Sequence, residues 1–317
     1  MVFYPRIAVI KNYFEYGNNK QRKKKATLTY KLDSIKNIHV NFPGTPNPHT
    51  CYTNPILTNG VETNDKKLKS LHELPTPLIL YNCWDVASAR AIQQGGAPVI
   101  ATSSYAIAES LGVVDGEHLT FDEMFSVFSR IAENVSLPLT VDIETGYARN
   151  LEELAQNVER LLAIGVCGVN LEDQLIGVTN PGLCSTEEQC DKIKTIKETA
   201  AKISTEIFIN ARTDVFFQGR DETADLVEEA ISRANAYKEA GADAIFIPGL
   251  LSPNLIRAFV DKSPLPVNVM RIDGMLSNEE LQKIGVKRIS YGPFSFFQAN
   301  LAIQQEVERI FGGGKAL

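Results

Sequence analysis

From residue 77 onward the chain alternates between two hydrophobic rhythms. Short, nearly continuous apolar runs occur at 78–82 (LILYN), 98–103 (PVIATS), 138–144 (PLTVDIE) and 166–173 (VCGVNLED). Four more follow at 206–214 (EIFINARTD), 243–249 (DAIFIPG), 265–270 (LPVNVM) and 286–292 (VKRISYG). Runs that are apolar on both faces suit strands of a parallel sheet covered on either side. Between them the apolar spacing lengthens. Asn150 precedes a segment with apolar residues at 151, 154, 158, 161 and 162, one face of a 3.6-residue repeat. Further helices are expected at 85–94, from the capping box at Ser185 (STEE) to about 203, and at 223–240, 254–260, 278–284 and 294–311.

Three units share their punctuation: GGAPVI from 95, GVCGVN from 165 and GADAIF from 241. In each, a glycine ends a helix and an apolar strand follows within a few residues. Eight strands alternating with helices predict an α/β fold, a (β/α)8 TIM barrel. An open doubly wound sheet is the competitor, but no strand is followed by a GxGxxG turn. Residues 1–70 differ: rich in Asn, Lys, Thr and Pro without sustained periodicity, they are expected to form a poorly ordered N-terminal extension before one barrel domain at 71–317.

The chain has 317 residues, 44% of them apolar, enough for a large core. The net charge of −6 is uneven, because residues 1–60 hold nine Lys/Arg against two Asp/Glu. The acidic remainder argues against a nucleic-acid face, and the basic run at 21–25 is expected to be a solvated tail. No run of about 18 apolar residues predicts a membrane span. Five cysteines without a CxxC pair and without a secretory leader suggest a reducing cytoplasm, with Cys83 and Cys167 as buried thiols. The four histidines have no zinc-ligand spacing.

A barrel of this kind carries its chemistry at the C-terminal ends of its strands. Asp142 and Glu144, at i and i+2, end the third strand and are expected to share a face. The fourth ends in Asn170, Glu172 and Asp173, the fifth in Asn210, Arg212 and Asp214. The second ends in Ser103 and Ser104, with Asp115 soon after. Asp115, Asp142, Glu144 and Glu172 around one point need a counter-charge. A hard divalent cation with oxygen ligands supplies it, most simply Mg²⁺, with Mn²⁺ as a substitute. Arg212 then offers a fork for a substrate carboxylate or phosphonate, and Ser103 and Ser104 could bind another carboxylate. Purely structural roles compete: Asp173 and Asp214 as caps or loop ion pairs, Arg212 as neutraliser of Glu172, and Ser103–Ser104 as a helix cap.

The stretches ATSSYAIAESLGVVDGE from 101, VDIETGY from 141, VNLEDQ from 169, FINARTD from 208 and EAGADAIFIPG from 239, in that order, resemble the phosphoenolpyruvate mutase/isocitrate lyase superfamily. The resemblance implies a barrel that assembles as a tetramer with its last helix swapped between subunits. It implies Mg²⁺ held directly by Asp142 and through water by Asp115, Glu144 and Glu172. It implies a small 2-oxo acid or phosphonate substrate, with Arg212, Ser103, Ser104, Tyr105 and Asn210 as its contacts. The shared chemistry breaks or makes a C–C or C–P bond beside a carbonyl through a metal-stabilised enolpyruvate.

Departures matter as well. Lyases of the superfamily carry a KxCGH-type loop with a catalytic Cys after the fourth strand, whereas Asn180 stands at that position here. Thr179-Asn180 resembles the gating loop of the phosphonopyruvate-processing branch, which places Asn180 among the catalytic residues. Cys184 is out of frame and reads as a thiol beside the Ser185 cap. Pro248, Ala101 and Val178 replace a His, a Trp and a basic residue of the mutase. The chain thus resembles the broad phosphonomutase-like group. An oxaloacetate-type decarboxylase, a phosphonopyruvate hydrolase and a non-catalytic oxo-acid-binding barrel stay open as alternatives. A Schiff-base aldolase lacks a Lys at a strand end. Tyr105 and Tyr147 are weak candidates for proton transfer.

Overall fold

The computed structural model describes residues 63–177, 182–218, 221–272 and 274–312. Eight parallel strands form the centre: β1 (Leu78–Leu80), β2 (Ile100–Ala101), β3 (Leu139–Asp142), β4 (Val166–Glu172), β5 (Phe208–Arg212), β6 (Ala244–Phe246), β7 (Val267–Met270) and β8 (Arg288–Ser290). From β2 to β8 each strand pairs with its sequence neighbour, and β1 pairs with β8. Between β1 and β2 the ring closes just beyond both strands, at the parallel bridge Cys83–Thr102. There Cys83 N donates to Ala101 O (2.8 Å) and Ser103 N to Cys83 O (3.0 Å). The expected (β/α)8 barrel is the fold.

The helices are α1 (Asn64–Glu73), α2 (Val86–Gln94), α3 (Ser104–Ser110), α4 (Phe121–Ala132), α5 (Leu151–Ala163), α6 (Thr186–Lys202), α7 (Ala224–Glu239), α8 (Pro253–Lys262), α9 (Asn278–Lys283) and α10 (Phe294–Phe311). Capping boxes start α2, α4, α6 and α9 at Asp85, Thr120, Ser185 and Ser277, and Asn150 caps α5. The apolar pattern had not singled out α4. Its signal lies in the TFDE box and in Phe121, Met124, Phe128 and Ile131, all buried at helical spacing. The main core lies between sheet and helices, where Val141, Val169, Ile209 and Ile289 meet residues such as Val158, Ile193 and Phe259. Burying each such side chain contributes roughly 1.5–3 kcal/mol.

The extension expected over 1–70 needs one correction. Residues 1–62 lie outside the described residues, but an ordered helix begins at Asn64. Leu68 of α1 is fully buried among Leu78, Leu80, Ala101 and Phe208, at the end of the barrel where the strands start. Gly168 makes room for it: a Cβ there would stand 2.7 Å from Leu68 Cδ2 and 3.0 Å from Thr140 Oγ1. Only Leu68 and His72 of this helix are buried, so its polar composition conceals its role. Among the described residues no helix is long and apolar enough to cross a membrane.

Candidate active site

Asp142 is the last residue of β3. Its Oδ2 accepts a hydrogen bond from Ser104 Oγ (3.1 Å), and its Oδ1 one from Glu144 N (3.4 Å). Burial pushes its carboxyl above the usual range, the Arg212 guanidinium pulls it back, and the charge of Asp115 raises it again. Ser103 N-caps α3, its Oγ accepting from Ala106 N at 3.4 Å. Of the two serines, only Ser104 therefore bonds to the acid.

Glu144 reaches the site differently from the expectation. The strand stops at Asp142, and Glu144 adopts φ 46° in a turn closed by Gly146 N donating to Ile143 O (2.7 Å). The direction of Glu144 is thus set by a turn, not by strand alternation. Glu117 and Tyr147 are also left-handed, at φ 56° and 51°. Such residues cost roughly 1–2 kcal/mol each when they carry a Cβ. Interlocked hydrogen bonds offset that strain. Glu144 accepts from Glu117 N (3.2 Å to Oε2) and from the Tyr147 hydroxyl. The Glu117 carboxylate in turn accepts from Thr145 N (3.0 Å), Thr145 Oγ1 (2.6 Å) and Tyr147 N (3.0 Å). Sequence reasoning had given Glu117 no role; its only mark was its place directly after Gly116.

Neither tyrosine is suited to proton transfer at neutral pH. Burial and then the Glu144 charge push the Tyr147 phenol far up, so it serves as a donor that fixes Glu144. Burial, then Glu109, push Tyr105 up to about 12, and its ring packs edge-on to Phe297 at 5.5 Å.

Glu172 and Arg212 are register partners on β4 and β5. Arg212 Nη1 lies 2.8 Å from Glu172 Oε2, while Nε and Nη2 grip Asp214 at 2.6 and 2.9 Å. Phe217 and Phe246 flank the guanidinium, 5.6 and 5.8 Å from their ring centres. Asp214 N donates to Asp173 Oδ1 (2.9 Å), and Asp173 Oδ2 accepts from Tyr237 (2.7 Å) and Arg233 (3.1 Å). Asp173 and Asp214 thus act as supports behind Arg212. Asn210 sits lower: it is fully buried and donates to Asn170 Oδ1 at 2.8 Å. Arg288 on β8, also overlooked in the sequence, donates to the same oxygen at 3.0 Å. Burial pushes Arg288 down to about 9, which leaves it charged at neutral pH.

Asn180 and Thr179 lie outside the described residues. The loop that carries them is closed at its base by the antiparallel bridge Gln174–Leu183 and by Leu175 N donating to Gly182 O (2.9 Å). Cys184 is buried there, and burial pushes its thiol up to about 11, so it is not a ready nucleophile.

Among the described residues no three His, Cys, Asp or Glu side chains gather closely enough to enclose a metal ion alone. A carboxylate raised by burial, and further by a neighbouring acid, still suits a cation. The donors are all hard oxygens, as Mg²⁺ prefers, and Mg²⁺ readily completes its shell with water. The residues fit an ion held by one carboxylate plus water.

A family model for phosphoenolpyruvate phosphomutase matches residues 68–311. The 2-methylisocitrate lyase of Escherichia coli K12 is 29% identical over 234 residues, covering 70% of this chain and 76% of that one. A solved structure from Burkholderia cenocepacia J2315, assigned provisionally as a phosphonomutase, is 40% identical with a TM-score of 0.74. The match covers 77% of this chain and 99% of that one. A phosphonopyruvate hydrolase solved with oxalate and Mg²⁺ is 25% identical with a TM-score of 0.71, covering 80% of this chain and 89% of its own.

Proposed function

The chain belongs to the phosphoenolpyruvate phosphomutase family and is an enzyme of the lyase and mutase type, and we propose that it cleaves or rearranges the C–C or C–P bond beside the carbonyl of a small 2-oxo acid. The observation that carries this reading is the setting of Arg212. It is a partly buried fork gripped by Asp214 and Glu172, at the same barrel end as the raised carboxylate of Asp142. A substrate with an anionic end and a chelating pair of oxygens matches that combination of charges.

Asp142 would hold Mg²⁺ directly, with Asp115, Glu144 and Glu172 holding its waters. When bound, the ion supplies Lewis-acid polarisation of the carbonyl and neutralises charge that develops on its oxygen. Ser104 orients the Asp142 carboxylate, and the Glu117–Tyr147 clamp orients Glu144. Arg212 binds the substrate anion, and Asn180 contributes from the loop after β4. The Mg²⁺ and oxalate found together in the phosphonopyruvate hydrolase structure support this reading of the metal.

The assembly we favour is a homo-oligomer, a tetramer with α10 laid against a neighbouring copy. Ile303, Val307, Ile310 and Phe311 of α10 are exposed at helical spacing. A cavity of about 490 Å³ on the outer wall, lined by Ile79, Tyr81, Ile92 and Pro98, offers apolar surface to receive such a helix. Cysteines that remain free among the described residues suit a reducing compartment such as the cytoplasm.

The decisive experiment is a panel of oxaloacetate, phosphonopyruvate and substituted malates, assayed for release of pyruvate and formation of phosphoenolpyruvate, with and without Mg²⁺. Turnover of at least one, dependent on Mg²⁺, is expected. No turnover of any, or equal turnover in EDTA, overturns the reading.

A further inference from the structure

One layer below the acids the barrel interior is polar, where stacked aliphatic side chains would ordinarily fill it. Arg288 is its centre: 1% exposed, with no ion pair among the described residues. Nη2 donates to Asn170 Oδ1 (3.0 Å), which also accepts from Asn210 (2.8 Å). Nε reaches Ser290 Oγ (3.4 Å), and that hydroxyl is bonded to Asn268 at 3.1 and 3.2 Å. Two buried atoms of this cluster, Arg288 Nη1 and Asn210 Oδ1, have no partner.

The cluster lies directly under the site. Asn170 is the register partner of Asp142. Asn170 and Asn210 also precede Glu172 and Arg212 by two residues on the same faces of β4 and β5. Packing does not account for a cation here. An apolar side chain of similar volume would fill the space without the cost of desolvating a guanidinium. Electrostatics does account for it. Asp115 and Arg212 both act on Asp142, and Glu172 and Asp214 already engage the Arg212 guanidinium, so these carboxylates outnumber the cation they share, a field that repels an acidic substrate.

The geometry points to Arg288 as a positioning residue, a fixed cation in the barrel floor that draws the anionic substrate into a mouth crowded with carboxylates and, through Asn170 and Asn210, supports Glu172 and Arg212. It touches no substrate. It acts by its field, and by holding the amides on which the strand ends rest. This deepens the reading given under Proposed function and rests on it.

The test titrates oxalate into the wild-type protein, R288M and R288K with Mg²⁺ present, and melts each protein alone. Wild type is expected to bind. R288M is expected to bind on the order of tenfold more weakly or worse, with an equal or higher melting temperature. R288K, which keeps the charge, is expected to recover much of the loss. Oxalate binding by R288M within twofold of wild type overturns the proposal and leaves the wider reading standing. Equal weakening in R288M and R288K, with lowered melting temperatures in both, also overturns it, since that marks a structural filler. Wild type that ignores oxalate sinks the wider reading and this proposal together. If R288M does not fold, R288Q decides: weaker binding than R288K supports the field, and equal binding refutes it.

Discussion

Arg212 and Asp214, two residues apart, form a bidentate pair, with Nε–Oδ1 at 2.6 Å and Nη2–Oδ2 at 2.9 Å. A third nitrogen is left for Glu172. The guanidinium is therefore fixed before any ligand arrives, which lowers the ordering cost of binding. Asp214→Ala should release it. We expect oxalate affinity to fall on the order of tenfold and stability to fall by roughly 3–5 kcal/mol, the usual cost of stranding one partner of a buried pair. Calorimetry and urea denaturation measure the two. Arg212→Lys should be nearly as damaging as Arg212→Ala in kcat/KM, because an ammonium cannot bridge Asp214 and Glu172 in one plane.

The metal reading makes a sharper demand on Asp142. Asp142→Ala is expected to abolish Mg²⁺-dependent turnover and Mg²⁺-dependent oxalate binding, without unfolding the barrel. Ser104→Ala should be milder: it removes one hydrogen bond to Asp142 Oδ2, a net effect of about 1 kcal/mol. The Mg²⁺ concentration for half-maximal oxalate binding should then rise about fivefold. Full activity of Asp142→Ala, or oxalate binding unchanged in EDTA, would remove the ion from the site.

The barrel was legible because short, mostly apolar runs alternate with segments of helical period, a pattern that needs no tertiary information. Site residues at strand ends were legible for a related reason, since Glu172 and Arg212 interrupt such runs. Glu144 shows the limit. Its position in the sequence suggested strand alternation, but its direction is set by a left-handed turn held by Glu117, 27 residues away. Arg288 was hidden for the opposite reason. In VKRISYG it looks like the edge of a strand, and only the closed ring brings it to Asn170, 118 residues away. Long-range pairings of this kind leave no local pattern.

His72 gives the protein a defined acid sensitivity. Its Nδ1 donates to Leu68 O (2.8 Å), the ring stacks on Phe208 at 4.2 Å, and Nε2 is buried without a partner. Burial, and then the charge of Arg288, push it down from 6.5 to about 3. The folded protein therefore keeps His72 neutral, while the unfolded chain protonates it below about 6.5. Its contribution is fully present above that pH and is lost as pH falls towards 3, at up to about 1.4 kcal/mol per unit. Replacement by Leu removes this term. Urea midpoints of wild type and His72→Leu should diverge in favour of the variant between pH 6.5 and 4; parallel curves would show that the imidazole is solvated.

The last helix bears on assembly. Of α10 only Ser295 is buried, while Ile303, Val307, Ile310 and Phe311 are 62%, 46%, 56% and 83% exposed. Residues at i, i+4 and i+7 lie along one stripe of a helix. An apolar stripe of that length in water is unfavourable by about 25 cal/mol for each Å² left uncovered. Covering it with a second copy relieves this cost. Val307→Glu combined with Ile310→Glu should put two charges into this apolar stripe and shift the protein to smaller species, read by light scattering during gel filtration. The far-ultraviolet circular dichroism spectrum should stay that of the wild type, since neither residue is part of the barrel core. A wild-type protein that runs as a monomer at every concentration would refute the assembly, and so would a double variant whose size is unchanged.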